Sequence, residues 1–298
     1  MLRTHIMHAR SHLRRFCQGR GVGHVALTIL APAAVALGCS AAGPGSTEQT
    51  FVVQPQDVVS HAGFNFGVRC QNDFENGWIP HIETYSMCDS FTSTMRQSGT
   101  QSFYYDLKDG PDYTAGAGFT AGSVEETDAR SGGVDSVRLF LVDTHANAAT
   151  AEDAQLGMWA QHEYVHSSAL RLGSYAWILA VYGCDAFKTS DGHLWNRWIG
   201  AFAGGLKVGL GAHGIVYDDG PQKGGEFASR LENGEPVARS WNEAVWYANN
   251  NNTPTSATSG ADAKDCWSRM GMSLSGVAAA PALRDGDIGY LCWSEWNS

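Results

Sequence analysis

The chain has 298 residues, with 20 Lys or Arg against 30 Asp or Glu and a formal net charge of -10. No basic run occurs beyond the first twenty residues, and nucleic-acid backbones are bound through clustered Lys and Arg, so nucleic acid is excluded as the partner class. Apolar residues at 43% and charged residues at 17% describe a chain with material for a folded core, not a disordered one.

Residues 1–24 carry Arg3, Arg10, Arg14, Arg15 and Arg20 without an acid, and residues 25–38 form a 14-residue apolar stretch broken by Pro32. That is the layout of an export signal, too short for a permanent membrane helix. Gly38-Cys39-Ser40 follows, the pattern at which bacterial lipoprotein signals are cut and the Cys acylated. The expected organisation is therefore a signal over 1–38, a Gly-, Ser- and Pro-rich tether over 39–58, and a single domain over 59–298. The expected location is the bacterial cell envelope or the extracellular space, with membrane contact only through a lipid at Cys39. Removing the signal takes away five Arg and no acid, which leaves a mature net charge of -15.

Export gives the cysteines a meaning. Of seven, Cys17 leaves with the signal and Cys39 sits at the cleavage point, so five remain. In an oxidising compartment Cys70 with Cys88 and Cys266 with Cys292 would each close a modest loop, which leaves Cys184.

In chain order, strands are expected over 61–70 and 102–107 with a helix over 86–99 between them, then a Gly- and Thr-rich loop over 110–123. DSVRLFLVDT (135–144) and SYAWILAVYG (174–183) are continuous apolar runs, the signature of strands covered on both faces. The segment 151–172 between them has helix composition. A helix (194–204), a strand (205–217) and helices over 224–234 and 240–250 follow. The remainder reads as a polar loop over 249–260 and a strand over 267–276. Strand alternating with helix predicts an α/β fold, a three-layer α/β/α sandwich with a mainly parallel sheet.

In such sheets functional groups gather where strands end at their carboxyl edge. His145 directly follows the 135–144 strand and Cys184 directly follows the 174–183 strand. If the strands are neighbours, their tips lie about 5 Å apart. An imidazole within reach of a thiol can take its proton and return it to a leaving group.

A strand ending in His, a long connection and a next strand ending in Cys resembles the caspase-like (clan CD) fold of caspases, legumain and gingipains. The following WNRWIGAFAGGLKVGLGAHGIVYDDG and EFASRLENGEPVARSWNEAVWYA, with the closing MGMSLSG and GYLCW, are similar to an uncharacterised bacterial domain family of that fold, over roughly residues 60–295. The resemblance implies a cysteine peptidase acting on peptides or proteins without a cofactor. In it Cys184 attacks the carbonyl, His145 is the general acid/base, and the backbone N–H groups of Ala146 and Cys184 hold the oxyanion. The chain departs from the family at Ala146, where a Gly is usual after the His, and at Asp185, a carboxylate beside the thiol. A catalytically silent surface binding protein on the same scaffold is therefore a standing alternative.

A rival motif is His162-Glu163-Tyr164-Val165-His166, an HExxH. On a helix this spacing puts two imidazoles on one face to bind zinc while the Glu activates water, which makes a zinc hydrolase the third reading. Asp185, Asp191, His193 and Glu226 are the candidate third ligands. Blander features complete the inventory. Asp143 holds His145, binds substrate or is a solvated acid, Asp218-Asp219-Gly220 reads as a turn first and a metal site second, and His213 reads as a hydrogen-bonded core imidazole before a cleft-lining one. Trp195, Trp198, Trp241 and Trp246 read as core residues.

Overall fold

The structure, a computed structural model, describes residues 3–8, 64–71, 84–97, 101–109, 137–157, 164–170, 172, 176–217, 222–247 and 252–296. The strands are β1 (Arg3–His8), β2 (Phe64–Gln71), β3 (Gln101–Asp109), β4 (Leu139–Asp143), β5 (Ala146–Asn147) and β6 (Gln155–Gly157). They continue with β7 (Tyr164–His166), β8 (Ile178–Tyr182), β9 (Val208–Ala212), β10 (Pro254–Gly260) and β11 (Tyr290–Glu295). The helices among these residues are α1 (Thr84–Gln97), α2 (Leu194–Gly204), α3 (Gln222–Glu232), α4 (Val237–Tyr247), α5 (Ala263–Met270) and α6 (Leu274–Ala279). None is long and apolar enough to cross a membrane.

Eight strands form one mixed, mainly parallel sheet in the order β1-β11-β10-β9-β8-β4-β2-β3. The neighbours from β9 to β3 are parallel, and β10, β11 and β1 extend the sheet antiparallel. Chain order reverses direction between β2 and β4, because β2 leads outward to β3 while β4 leads the other way to β8 and β9. Such a reversal opens a crevice at the carboxyl ends of the strands.

β4 (LFLVD) and β8 (ILAVY) are buried along their whole length. Strand alternation divides their side chains between two apolar clusters, one on each side of the sheet. Phe140, Val142, Leu179 and Val181 join Trp198 and Phe202 of α2 with Leu156 and Val165 of the small strands. Leu139, Leu141, Ile178, Ala180 and Tyr182 join Met87 and Phe91 of α1, Phe227 of α3 and Trp241 of α4. Trp198 and Trp241 are fully buried, as the sequence suggests. At the α1–α3 crossing, Gly224 is needed for close approach, since a Cβ there would lie 2.0 Å from Met87 O.

Three expectations fail. The segment 151–172 is not a helix where it is described. β5, β6 and β7 form a three-stranded antiparallel sheet in which Leu156 opposes Val165, both buried. Two inward side chains at strand spacing outweigh a weak helical composition. The expected strand over 267–276 is instead the end of α5 and the start of α6. Asp262 caps α5 by accepting from Asp265 N–H at 2.8 Å, a start signal that precedes the apolar residues. The polar loop over 249–260 contains β10, buried throughout. Its hydroxyls find partners there: Thr255 Oγ1 with His213 Nδ1 at 2.8 Å, Ser256 Oγ with Asn242 Nδ2 at 3.3 Å, and Thr258 Oγ1 with Cys266 O at 3.0 Å. Of the expected signal, only Arg3–His8 lies within the described residues, as edge strand β1 on β11; its removal would leave β11 at that edge. The 39–58 tether and the 110–123 loop lie outside them.

The disulfides are Cys70–Cys88 and Cys266–Cys292, and Cys184 is a free thiol. They close 18 and 26 residues, and loop-closure entropy of that size contributes about 3 kcal/mol each. The double variant Cys266→Ser/Cys292→Ser should lose about that much stability in urea unfolding of the non-reduced protein. An unchanged midpoint would show that the bridge does not constrain the unfolded chain.

Candidate functional site

β4 and β8 pair in parallel with Asp143 level with Tyr182, and Thr144 N–H donates to Tyr182 C=O at 3.1 Å, continuing the ladder past the strands. That bond ends the ladder between the two chains, and His145 and Cys184 follow it directly, each as the next residue but one after the paired Asp143 and Tyr182. Neighbouring strands are about 4.8 Å apart, so the sheet brings the expected base and nucleophile to adjacent tips. Gly183 makes the approach closer. A Cβ there would lie 2.6 Å from Thr144 O and 2.7 Å from Ala146 Cβ, so any side chain would wedge the tips apart.

Alternation also sets the facing. Ala146 packs against the α2-side cluster, and strand alternation would turn His145 before it to the other side. Cys184 Sγ lies there too, against Val216, which packs on the α1-side cluster. His145 and Cys184 are both partly exposed. His213, at the tip of β9, is out of phase with Cys184 and is held on Thr255, so it stays a structural imidazole.

The Ala146 N–H is placed by the small sheet. Gly157 N–H donates to His145 C=O at 2.7 Å, which makes Ala146–Leu156 the non-hydrogen-bonded pair of the β5–β6 ladder. Ala146 N–H therefore turns away from β6, and the Cβ position of Gly183 is 3.4 Å from that nitrogen. Ala146 does not sit at positive φ, so the strain expected of an Ala in place of Gly does not arise.

The strain is found one residue past the thiol. Asp185 has φ 54°, the only non-Gly residue at positive φ among those described. Asp tolerates the left-handed region better than most residues, at a cost of about 1 kcal/mol. The turn is held by Asp185 N–H on Gly214 O at 2.9 Å and Phe187 N–H on Ala212 O at 2.8 Å. Phe187 explains why β9 is rich in glycine. Its ring stacks on Trp198 at 4.4 Å and lies where Cβ atoms on Gly209 and Gly211 would be, 2.6 and 2.3 Å away.

Burial pushes the Cys184 thiol above its ordinary value; hydrogen bonding to Val216 acts the other way, and the Asp185 charge adds to the rise. Val216 N–H donates to Sγ at 3.3 Å, and Sγ faces Val216 O at 3.6 Å. Lys188 Nζ lies 3.3 Å from Asp185 Oδ2 and offsets part of that charge. These surroundings favour the protonated thiol over the thiolate.

The HExxH segment behaves otherwise. His166 lies in strand β7, so the helical spacing that pairs two imidazoles does not apply to residues 164–166. His162 and Glu163 lie outside the described residues. His166 Nδ1 meets Asp153 Oδ2 at 2.6 Å. The other candidate ligands are dispersed: Asp185 pairs with Lys188, Asp191 with Arg197 and Glu226 with Arg230, while His193 occupies the N-cap of α2. No group of three or more His, Cys, Asp or Glu among the described residues could hold a metal ion. Asp143 is buried, 1% exposed, directly before the His145 turn and is not a solvated acid; Asp218-Asp219-Gly220 lies outside the described residues. Arg197, which touches both tip loops, carries no signal in the sequence beyond a charge between two tryptophans.

Gly183→Ala should leave a folded protein whose Cys184 reacts with iodoacetamide at least about tenfold more slowly at neutral pH, because small misplacement of reacting groups carries that order of cost. Unchanged labelling would show that the tips tolerate separation.

Residues 81–273 match the family model Domain of unknown function (DUF6345). No curated protein matches the chain. The matched span runs from just before α1 to the turn between α5 and α6 and includes both strand tips, so on more than half of its length this chain belongs to the DUF6345 family.

Proposed function

We propose that the chain is an exported cysteine peptidase, a caspase-like three-layer α/β/α sandwich in which Cys184 and His145 hydrolyse peptide bonds. The observation that supports this reading is the parallel pairing of β4 with β8, the two strands that lead directly into the segments carrying His145 and the free thiol of Cys184. In the proposed reaction Cys184 Sγ attacks the scissile carbonyl carbon while His145 takes the thiol proton. The tetrahedral oxyanion is held by the N–H groups of Ala146 and Cys184, and His145 returns the proton to the amine as the C–N bond breaks. Water then attacks the thioester with His145 as base, which releases the acid and restores the thiol. The Arg-rich leader, the apolar stretch and Cys39 support export and a lipid anchor.

One observation favours a second reading, a silent binding protein on the same scaffold: burial and Asp185 keep the thiol protonated. The two readings differ in whether His145 acts on Cys184. Brief iodoacetamide treatment of unreduced protein, read by mass spectrometry, should label Cys184 alone, with His145→Ala slowing it and no stoichiometric zinc in the sample. Labelling indifferent to His145, with no hydrolysis of a peptide library, overturns the peptidase and leaves the binding protein. Stoichiometric zinc with Cys184 unlabelled moves the chemistry to His162, Glu163 and His166.

Asp185 supplies a signed test. Its charge raises the thiol, so Asp185→Asn, which keeps a residue that tolerates positive φ, should move the alkaline limb of the labelling rate to lower pH. A limb that stays in place would remove Asp185 from the control of Cys184.

A further inference from the structure

We propose that Arg197 is the positioning residue of the site: a single buried guanidinium that ties the loop after His145 to the loop after Cys184. The inference rests on the Cys184–His145 reading. Arg197 lies in the first turns of α2 and is 2% exposed. Its Nε donates to Thr150 O at 2.8 Å, in the chain that leaves His145 for β6. Its Nη1 donates to Lys188 O at 3.3 Å and to Asp191 Oδ1 at 3.1 Å, both in the chain that leaves Cys184 for α2. Its Nη2 pairs with Asp191 Oδ2. Asp191 is itself fixed by accepting His193 N–H at 3.1 Å.

This arrangement uses what distinguishes Arg from Lys. A planar fork presents donors in several directions at once, so one side chain can reach a carbonyl on each loop and a carboxylate together. An ammonium is one point and cannot span them. The charge is balanced by Asp191, which meets the requirement that a buried cation be paired. The strand ladder ends at Thr144 and Tyr182, so beyond it the separation of the two loops depends on contacts like these. Trp198, the next residue, adds to the tie by donating Nε1–H to Ala186 O at 2.9 Å. The charged and titratable groups at the tie include Asp191, His193, Lys188 and, through Lys188, Asp185.

The test is a double-mutant cycle read on the pH profile of Cys184 alkylation by iodoacetamide. If His145 serves as base, the parent protein shows a limb in the range where imidazoles titrate, and His145→Ala loses it. Arg197→Gln should lose the same limb, with labelling at least about tenfold slower at neutral pH, and should add nothing further in the His145→Ala background. Arg197→Lys should keep the fold and the pair with Asp191 yet show the reduced limb, and it decides the matter where Arg197→Gln does not fold. A parent profile identical to that of His145→Ala defeats the dyad itself. A parent limb that depends on His145 but survives in Arg197→Lys, or effects that add independently in the cycle, overturn the role of Arg197 alone.

Discussion

The site depends on the parallel ladder between β4 and β8. Both strands are buried on both faces, so a slip of one residue would turn every inward side chain of one cluster into the other. The register is therefore held by some of the most buried side chains of the domain, Leu139, Phe140, Leu141, Ile178 and Leu179 among them. The segments that carry His145 and Cys184 inherit their place from that packing. The position of the two strand ends is thus maintained by hydrophobic burial several residues away, which is the strongest and least directional force available to the chain.

Past the strand ends the sheet no longer helps, and a different set of interactions takes over. Phe187 is stacked on Trp198 and seated over Gly209 and Gly211, so the chain after Cys184 is nailed to β9 by an aromatic ring. Thr189 Oγ1 and the buried Glu295 carboxylate join the same loop to β11. Ahead of these anchors Asp185 is held at positive φ, in a conformation it would not choose alone, with its N–H on Gly214 O. A strained residue next to a partly exposed thiol, with the chain tied to Gly214 O and Ala212 O, makes a pre-organised turn.

Much of this was legible in the sequence, for reasons that differ from place to place. The runs at 135–144 and 174–183 announced strands because both faces are covered, and that made their terminal His145 and Cys184 visible. The disulfides followed from counting, since five cysteines in an oxidising compartment leave one over. β10 was hidden because its buried Thr and Ser are satisfied by Asn242, His213 and Cys266, all outside the segment itself. The small sheet was hidden because Leu156 and Val165 are its main inward residues, too few to show a period. Arg197 was hidden because in WNRWIG it looks like the solvent-facing residue between two core tryptophans, and only the folded loops give it a reason to be inside.

The departure at Ala146 shows how a local rule can be satisfied at a different position. A Gly after the His would leave room for the neighbouring tip, and here an Ala occupies that place with ordinary backbone. The room is supplied from the other side, by Gly183, whose missing Cβ would fall 2.7 Å from that of Ala146. The physical requirement is that the two tips together carry no more than one Cβ at their closest point. Which tip carries it is not dictated by the packing, so an Ala at 146 does not by itself mark the site as dead. Ala146 N–H is turned away from β6, and the place of a Cβ on Gly183 lies 3.4 Å from its nitrogen. The small residues of the two tips and the hydrogen-bonding phase of the β5–β6 ladder thus converge on one place, and that convergence separates this edge of the sheet from an arbitrary pair of strand ends.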